Sequence, residues 1–165
     1  MRRFLHLASY ILLLSLAVGC SSVVDDEENE VKEYVKVGDR VPAFSVEAVC
    51  DDGSTTMFST AALTGETVIV LFHTSCSDCQ RELPRLNDYF LQNRSKPGFQ
   101  MVAISREESA ESIATFWKAQ GLSIPYSPQA DRRIYNLFAS SIIPRVYFCS
   151  SEGIVSKVCI EKVDF

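Results

Sequence analysis

Two cysteines three residues apart, Cys76 and Cys79 in the stretch FHTSCSDCQRELP (72–84), are the side chains of this 165-residue sequence best suited to chemistry. They directly follow an apolar run and open a helix candidate. At such a junction the unpaired backbone N–H groups and the positive helix end favour a thiolate on the first sulfur. Cys76 is therefore the candidate nucleophile. Cys79, one turn further in, is placed to attack a mixed disulfide on Cys76 and release the partner as a dithiol. Two other readings compete. His73, Cys76 and Cys79 form H-x-x-C-x-x-C, three potential zinc ligands, but the only other histidine is His6 and Cys50, Cys149 and Cys159 stand singly, so no cluster supplies a fourth. The pair could also be two inert buried thiols.

The elements that must position the pair follow from apolar patterning. Thr67 to Phe72 (TVIVLF) is a continuous β-branched run, as expected of a strand buried on both faces, and Phe99 to Ile104 (FQMVAI) is a second. The intervening helix starts near Ser77, carries Leu83, Leu86, Tyr89 and Phe90 at helical spacing, and ends before Pro97-Gly98. A further helix over 108–120 places Ile113, Phe116 and Trp117 on one face, has acids in its first turn and stops at Gly121. Strand, helix, strand, helix argues for a parallel sheet core. Ahead of it, 44–49 and 55–58 flank the turn signal Asp51-Asp52-Gly53-Ser54, a hairpin. Behind it come a short helix around 131–138 and a second hairpin, 145–149 with 154–160.

The length and a composition of 47% hydrophobic and 22% charged residues suit one globular core. Arg2 and Arg3 precede an apolar run from Phe4 to Val18, too short for a membrane span of about 20 residues, so 1–19 read as a secretory signal. Leu16-Ala17-Val18-Gly19-Cys20 resembles a bacterial lipobox, in which Cys20 is lipidated and becomes the mature N-terminus; a plain signal peptide cleaved nearby is the alternative. The stretch 20–37 then supplies Asp25, Asp26, Glu27, Glu28 and Glu30 with no aromatic before Tyr34, a composition that reads as a tether. Its acidic run resembles export signals on surface lipoproteins of some Gram-negative bacteria. Without residues 1–19 the chain holds 14 basic and 21 acidic side chains, a net charge of −7 that argues against a nucleic-acid partner. Export would permit disulfides, and with Cys20 lipidated an odd five cysteines remain.

Gly38-Asp39-Arg40-Val41-Pro42-Ala43-Phe44, TVIVLF, Cys76-Ser77-Asp78-Cys79-Gln80-Arg81-Glu82-Leu83-Pro84, Met101 to Ser105 and Ile143-Pro144 together resemble thioredoxin-like thiol:disulfide oxidoreductases of the TlpA/ResA type, over about residues 38–160. The resemblance implies an α/β thioredoxin-like fold over 38–165: a central mixed β-sheet flanked by helices, with an N-terminal β-hairpin. It implies an exported, lipid-anchored enzyme of the bacterial cell envelope that needs no cofactor, exchanges disulfides with protein thiols and draws on an upstream membrane electron donor. Cys76 matches the attacking thiol and Cys79 the resolving one. Glu82 matches a glutamate near the disulfide that could take the Cys79 proton; the alternative is an exposed helix charge paired with Arg85. Pro144 matches the cis proline facing the disulfide, and Ile143 the residue whose backbone pairs with an extended substrate. A peroxidase remains an alternative, although P-x-x-x-T/S-x-x-C is not met with Ile69 and His73 seven and three residues before Cys76. A non-catalytic binding or metal-carrying lipoprotein is another.

Three departures from the pattern bear on substrate choice and coverage: Ser75 replaces Trp, Arg145 replaces the Thr after the proline, and the last helix of the family is missing after 160, leaving one sheet face thinly covered. Cys149 and Cys159 are expected out of register, so no bridge joins them. Asp78, in the same loop as Cys76, should oppose a thiolate there while Arg145 turns to solvent, which favours a reductase.

Overall fold

The computed structural model describes residues 31–165; the expected signal, Cys20 and the acidic run lie outside these residues. The described chain forms one mixed seven-stranded sheet. Its elements are β1 (Ser45–Val49), β2 (Thr55–Ser59), β3 (Thr67–Phe72), α1 (Ser77–Asn93), β4 (Gln100–Ser105), α2 (Ala110–Gln120), β5 (Tyr126–Ser127), β6 (Arg145–Cys149) and β7 (Val155–Ile160), with a single 3-10 turn at Tyr135–Leu137. The strand order is β2-β1-β5-β4-β3-β6-β7. No helix among the described residues is long and apolar enough to cross a membrane.

β3 lies inside the sheet between β4 and β6, and its six apolar-run residues are all buried, as a strand covered on both faces requires. It runs parallel to β4, Thr67 opposite Gln100 through Phe72 opposite Ser105, and antiparallel to β6. Parallel strands deliver their following loops to the same end of a sheet. The loop after β3, which carries the cysteines, and the loop after β4 are therefore neighbours. Cys79, Leu83 and Leu86 bury one stripe of α1 on the sheet. Pro84 sits inside the helix, where it has no N–H to offer the Gln80 carbonyl.

α2 starts at Ser109, whose side chain accepts from the Ser112 N–H, and closes on Gly121 at φ 63°, a left-handed conformation suited to glycine. Its Trp117 packs against Phe72 and Tyr126 and donates to the Ile124 carbonyl at 2.8 Å. Glu108, counted among the acids of the helix's first turn, instead precedes the helix and is buried. The helix expected over 131–138 is reduced to the 3-10 turn. β5 was not foreseen, since two residues carry no period; it fills the gap between β1 and β4.

Residues 32–34, read from composition as tether, run along the domain: Tyr34 N–H donates to the Phe138 carbonyl and Ser140 N–H to the Lys32 carbonyl. Cys149 faces Val155 and Cys159 faces Val146, so the two sulfurs are out of register as expected. After β7, residues 161–165 run along α1, from the Glu161 carbonyl at Arg81 to Phe165 stacked on Tyr89 at 4.9 Å. On the edge strand β7 Ser156 is exposed and Lys157, Val158 and Ile160 are half-buried, while on the other edge strand, β2, Thr55, Thr56 and Met57 are exposed.

Candidate active site

His73, Thr74 and Ser75 lead from β3 into Cys76, which caps α1 in an extended conformation (φ −80°, ψ 122°). Its N–H donates to the His73 carbonyl at 3.1 Å, and its carbonyl accepts the first helical bond, from Gln80, at 2.9 Å. The Gln80 side chain reaches back to the Thr74 carbonyl at 2.7 Å, so the loop is tied to the helix it enters. Cys76 is half-buried, while Cys79 is fully buried. Burial pushes the Cys79 thiol far up, and the neighbouring Cys76 sulfur adds to the rise. One thiol is thus reachable and the other holds its proton.

The Ile143–Pro144 bond is cis. Both residues are buried, and the Ile143 carbonyl lies 3.5 Å from Cys76 Sγ, so the structure brings together Cys76, Cys79, Ile143 and Pro144.

Glu82 is not an exposed helix charge. It is 1% exposed and its carboxylate accepts from Arg81 Nε at 2.9 Å, Arg85 Nη1 at 2.6 Å and the Val163 N–H at 3.1 Å. Burial alone would raise its pKa, but the Arg81 and Val163 hydrogen bonds and the Arg85 charge outweigh it and hold the carboxyl below its ordinary value. Among the hydrogen bonds of the described residues, none joins Glu82 to Cys79. Arg81 also pairs with Asp78 at 2.5 Å and donates to the Glu161 carbonyl at 2.9 Å.

Arg145 does not turn to solvent. It is the largest fully buried side chain of the domain, its Nε donating to the carbonyls of Ser141 at 3.1 Å and Ile142 at 3.2 Å, with Glu33 3.4 Å from Nη1. The rule that long cations snorkel fails because those loop carbonyls point inward and need a donor.

Sequence reasoning missed a second polar cluster behind the cysteine loop. The buried Glu108 carboxylate accepts from the Thr74 N–H at 2.9 Å, from the Thr74 hydroxyl, and from Ser112 Oγ at 2.7 Å, with His73 Nδ1 3.7 Å away. His73 Nδ1 accepts the Ser75 N–H at 3.1 Å. The available signal was topological: Glu108 follows β4 and Thr74 follows β3, neighbouring parallel strands. Among the described residues no group of three or more His, Cys, Asp or Glu is arranged to hold a metal ion.

The chain is 27% identical over 128 residues to the thiol-disulfide oxidoreductase ResA of Bacillus subtilis (strain 168), covering 77% of this chain and 69% of ResA. Its fold matches a thiol:disulfide interchange protein of the thioredoxin family from Chlorobium tepidum TLS, with a TM-score of 0.59 and 25% identity over 75% of this chain and 88% of that one. It also matches StoA from Bacillus subtilis, with a TM-score of 0.58 and 17% identity over 73% and 90% of the two chains. The fold is thioredoxin-like. The AhpC/TSA family model spans residues 37–158, from the first turn of the domain through its last strand and with the cysteine loop inside it, and the chain belongs to that family.

Proposed function

We propose that the protein is a thiol:disulfide oxidoreductase that exchanges disulfides with protein thiols through Cys76 and Cys79. The observation that carries this reading is the half-buried Cys76 at the start of α1, facing the Ile143 carbonyl beside cis-Pro144, with a buried partner thiol one turn further on. The Cys76 thiolate attacks one sulfur of a substrate disulfide and forms a mixed disulfide, the other substrate sulfur leaving as a thiolate that takes up a proton. Cys79 then loses its proton and attacks Cys76 Sγ. The second substrate thiol is released, so that two electrons have passed from the cysteine pair to the substrate. An extended substrate segment pairs with the backbone at Ile143, and a membrane-bound dithiol donor restores the pair.

Glu82 makes a poor acceptor of the Cys79 proton. A carboxylate held low by three donors is a poor base for a thiol whose proton is held by burial. The same contacts support a positioning role, in which Glu82 fastens the 161–165 segment to α1. The direction is proposed to be reductive, on the ground that Asp78 opposes a Cys76 thiolate, although its pairing with Arg81 offsets part of that field. Export and lipid anchoring through Cys20 are proposed from the sequence of residues 1–20.

The test is capture of the mixed disulfide. With Cys79→Ala, Cys76 should remain linked to its substrates and the adducts should release on reduction; absence of adducts that depend on Cys76 would refute disulfide exchange.

A further inference from the structure

The loop that presents the Ile143 carbonyl to Cys76 is not relaxed. Ile142 has φ 71°, in the left-handed region that β-branched side chains avoid. Its carbonyl receives two donors, the Tyr135 hydroxyl at 2.8 Å and Arg145 Nε at 3.2 Å, and Arg145 Nε also reaches the Ser141 carbonyl. These contacts converge on the residue immediately before Ile143.

Arg145 is poorly explained as a stabilising charge. It is fully buried, its one carboxylate partner, Glu33, is 3.4 Å away, and its Nη2, like the Tyr147 hydroxyl, has no partner among the described residues. A buried cation so incompletely paired costs stability relative to an apolar side chain, so its contacts with the loop are better read as positioning than as stabilisation.

We propose that Arg145 and Tyr135 are positioning residues for disulfide exchange: by holding the Ile142 carbonyl they fix the left-handed backbone there, which sets the Ile143 carbonyl against Cys76. Glu33 is the outer anchor of the same device. Its stretch of chain is bridged to Ala139, just before the loop, so the segment leading out of the domain is fastened to the substrate-pairing loop. The inference rests on the exchange reading and deepens it.

The experiment exploits glycine, which adopts φ > 0 without cost. Tyr135→Phe removes the hydroxyl but keeps the ring over which the Arg106 and Arg132 guanidiniums each sit at 5.1 Å, so folding is preserved. Reduced protein is reacted with a ten-residue peptide closed by a disulfide, which uses the loop backbone, and with 5,5′-dithiobis(2-nitrobenzoate), which has no backbone to pair. The readout is the ratio of the two rate constants. Loss of one hydrogen bond to the loop should lower that ratio about fivefold in Tyr135→Phe. Arg145→Lys, which keeps the charge but not the paired Nε geometry, should lower it as well. In the Ile142→Gly background Tyr135→Phe should change little, because the glycine no longer needs the clamp. An unchanged ratio in Tyr135→Phe, or an equal fall in the glycine background, would overturn the positioning role. A wild-type protein that reacts with the small reagent but never with the peptide would remove the exchange reading itself, and the inference with it.

Discussion

Replacing Glu82 by glutamine separates two roles that the sequence could not tell apart. Glutamine keeps the volume and one carbonyl oxygen, so the bond from the Val163 N–H survives. What is lost is the charge that pairs with Arg81 and Arg85, whose side chains are 53% and 43% exposed and resolvate when released. Each of these pairs is therefore worth less than a fully desolvated one, about 0.5–1 kcal/mol. The expected destabilisation is about 1–2 kcal/mol, or roughly 3–8 °C in Tm for a domain of this size. The pH dependence carries a sign as well. The Glu82 pKa is lowered on folding, so its contribution is fully present above the ordinary glutamate value of 4.5 and is lost as pH falls through the depressed folded value. Wild-type protein should lose this increment on acidification, whereas Glu82→Gln lacks it from the start, and the two stability curves should converge at low pH.

The assay is thermal unfolding of both proteins between pH 3 and 8, alongside the rate of reduction of a disulfide-bonded peptide. If Glu82 anchors the 161–165 segment, Tm falls near neutral pH while the rate changes by no more than a few-fold. If it is the proton acceptor for Cys79, the rate falls about 10²–10⁴-fold across the working pH range and its pH profile shifts. A rate loss of that size with Tm unchanged across the whole pH range would refute the anchoring argument.

Asp78→Asn removes a carboxylate from the cysteine loop and leaves the Arg81 charge without that partner, and both changes favour a thiolate on Cys76. Equilibration with glutathione buffers should show a more oxidising protein, but by less than about 30 mV because Arg81 already offsets the carboxylate; a shift in the reducing direction would contradict it. The wild-type potential should lie nearer to thioredoxin's, about −270 mV, than to that of strong oxidants near −120 mV. Cys20→Ser should move the protein from the membrane fraction to the soluble exported fraction, and a wild-type protein already soluble would rule out the anchor.

The parts of the site legible in the sequence are those fixed by local pattern. TVIVLF announced a central strand because a strand covered on both faces has no polar positions to alternate with. Cys76 and Cys79 could be assigned to the start of α1 because the apolar run ends, and the helical period begins, on either side of them. The partners of buried polar groups were not legible, since they are set by residues remote in the chain. Glu108 looks like an ordinary acid at a helix start until β4 is laid beside β3, which brings it to Thr74, 34 residues earlier. β5 is two residues long, and only its neighbours β1 and β4 make it a strand.

Arg145 shows why local charge rules fail at such a site. Taken alone, an arginine after a proline at the start of a strand is expected to extend to water, and the electrostatic argument for a reductase treated it as too mobile to matter. The strand it begins is buried along its whole length, on both faces of the sheet, so its side chain has no open face to follow. The preceding residues curl through the left-handed Ile142 and leave the carbonyls of Ser141 and Ile142 aimed inward, where an unpaired acceptor is costly. The Arg145 Nε–H is shared between both carbonyls while Nη1 reaches Glu33, a combination the branched guanidinium permits. A threonine at this position has one hydroxyl, too short to do the same. Arg145 is therefore tied to how the loop is held, and its consequence should be sought in substrate pairing at Ile143 before it is sought in the redox potential.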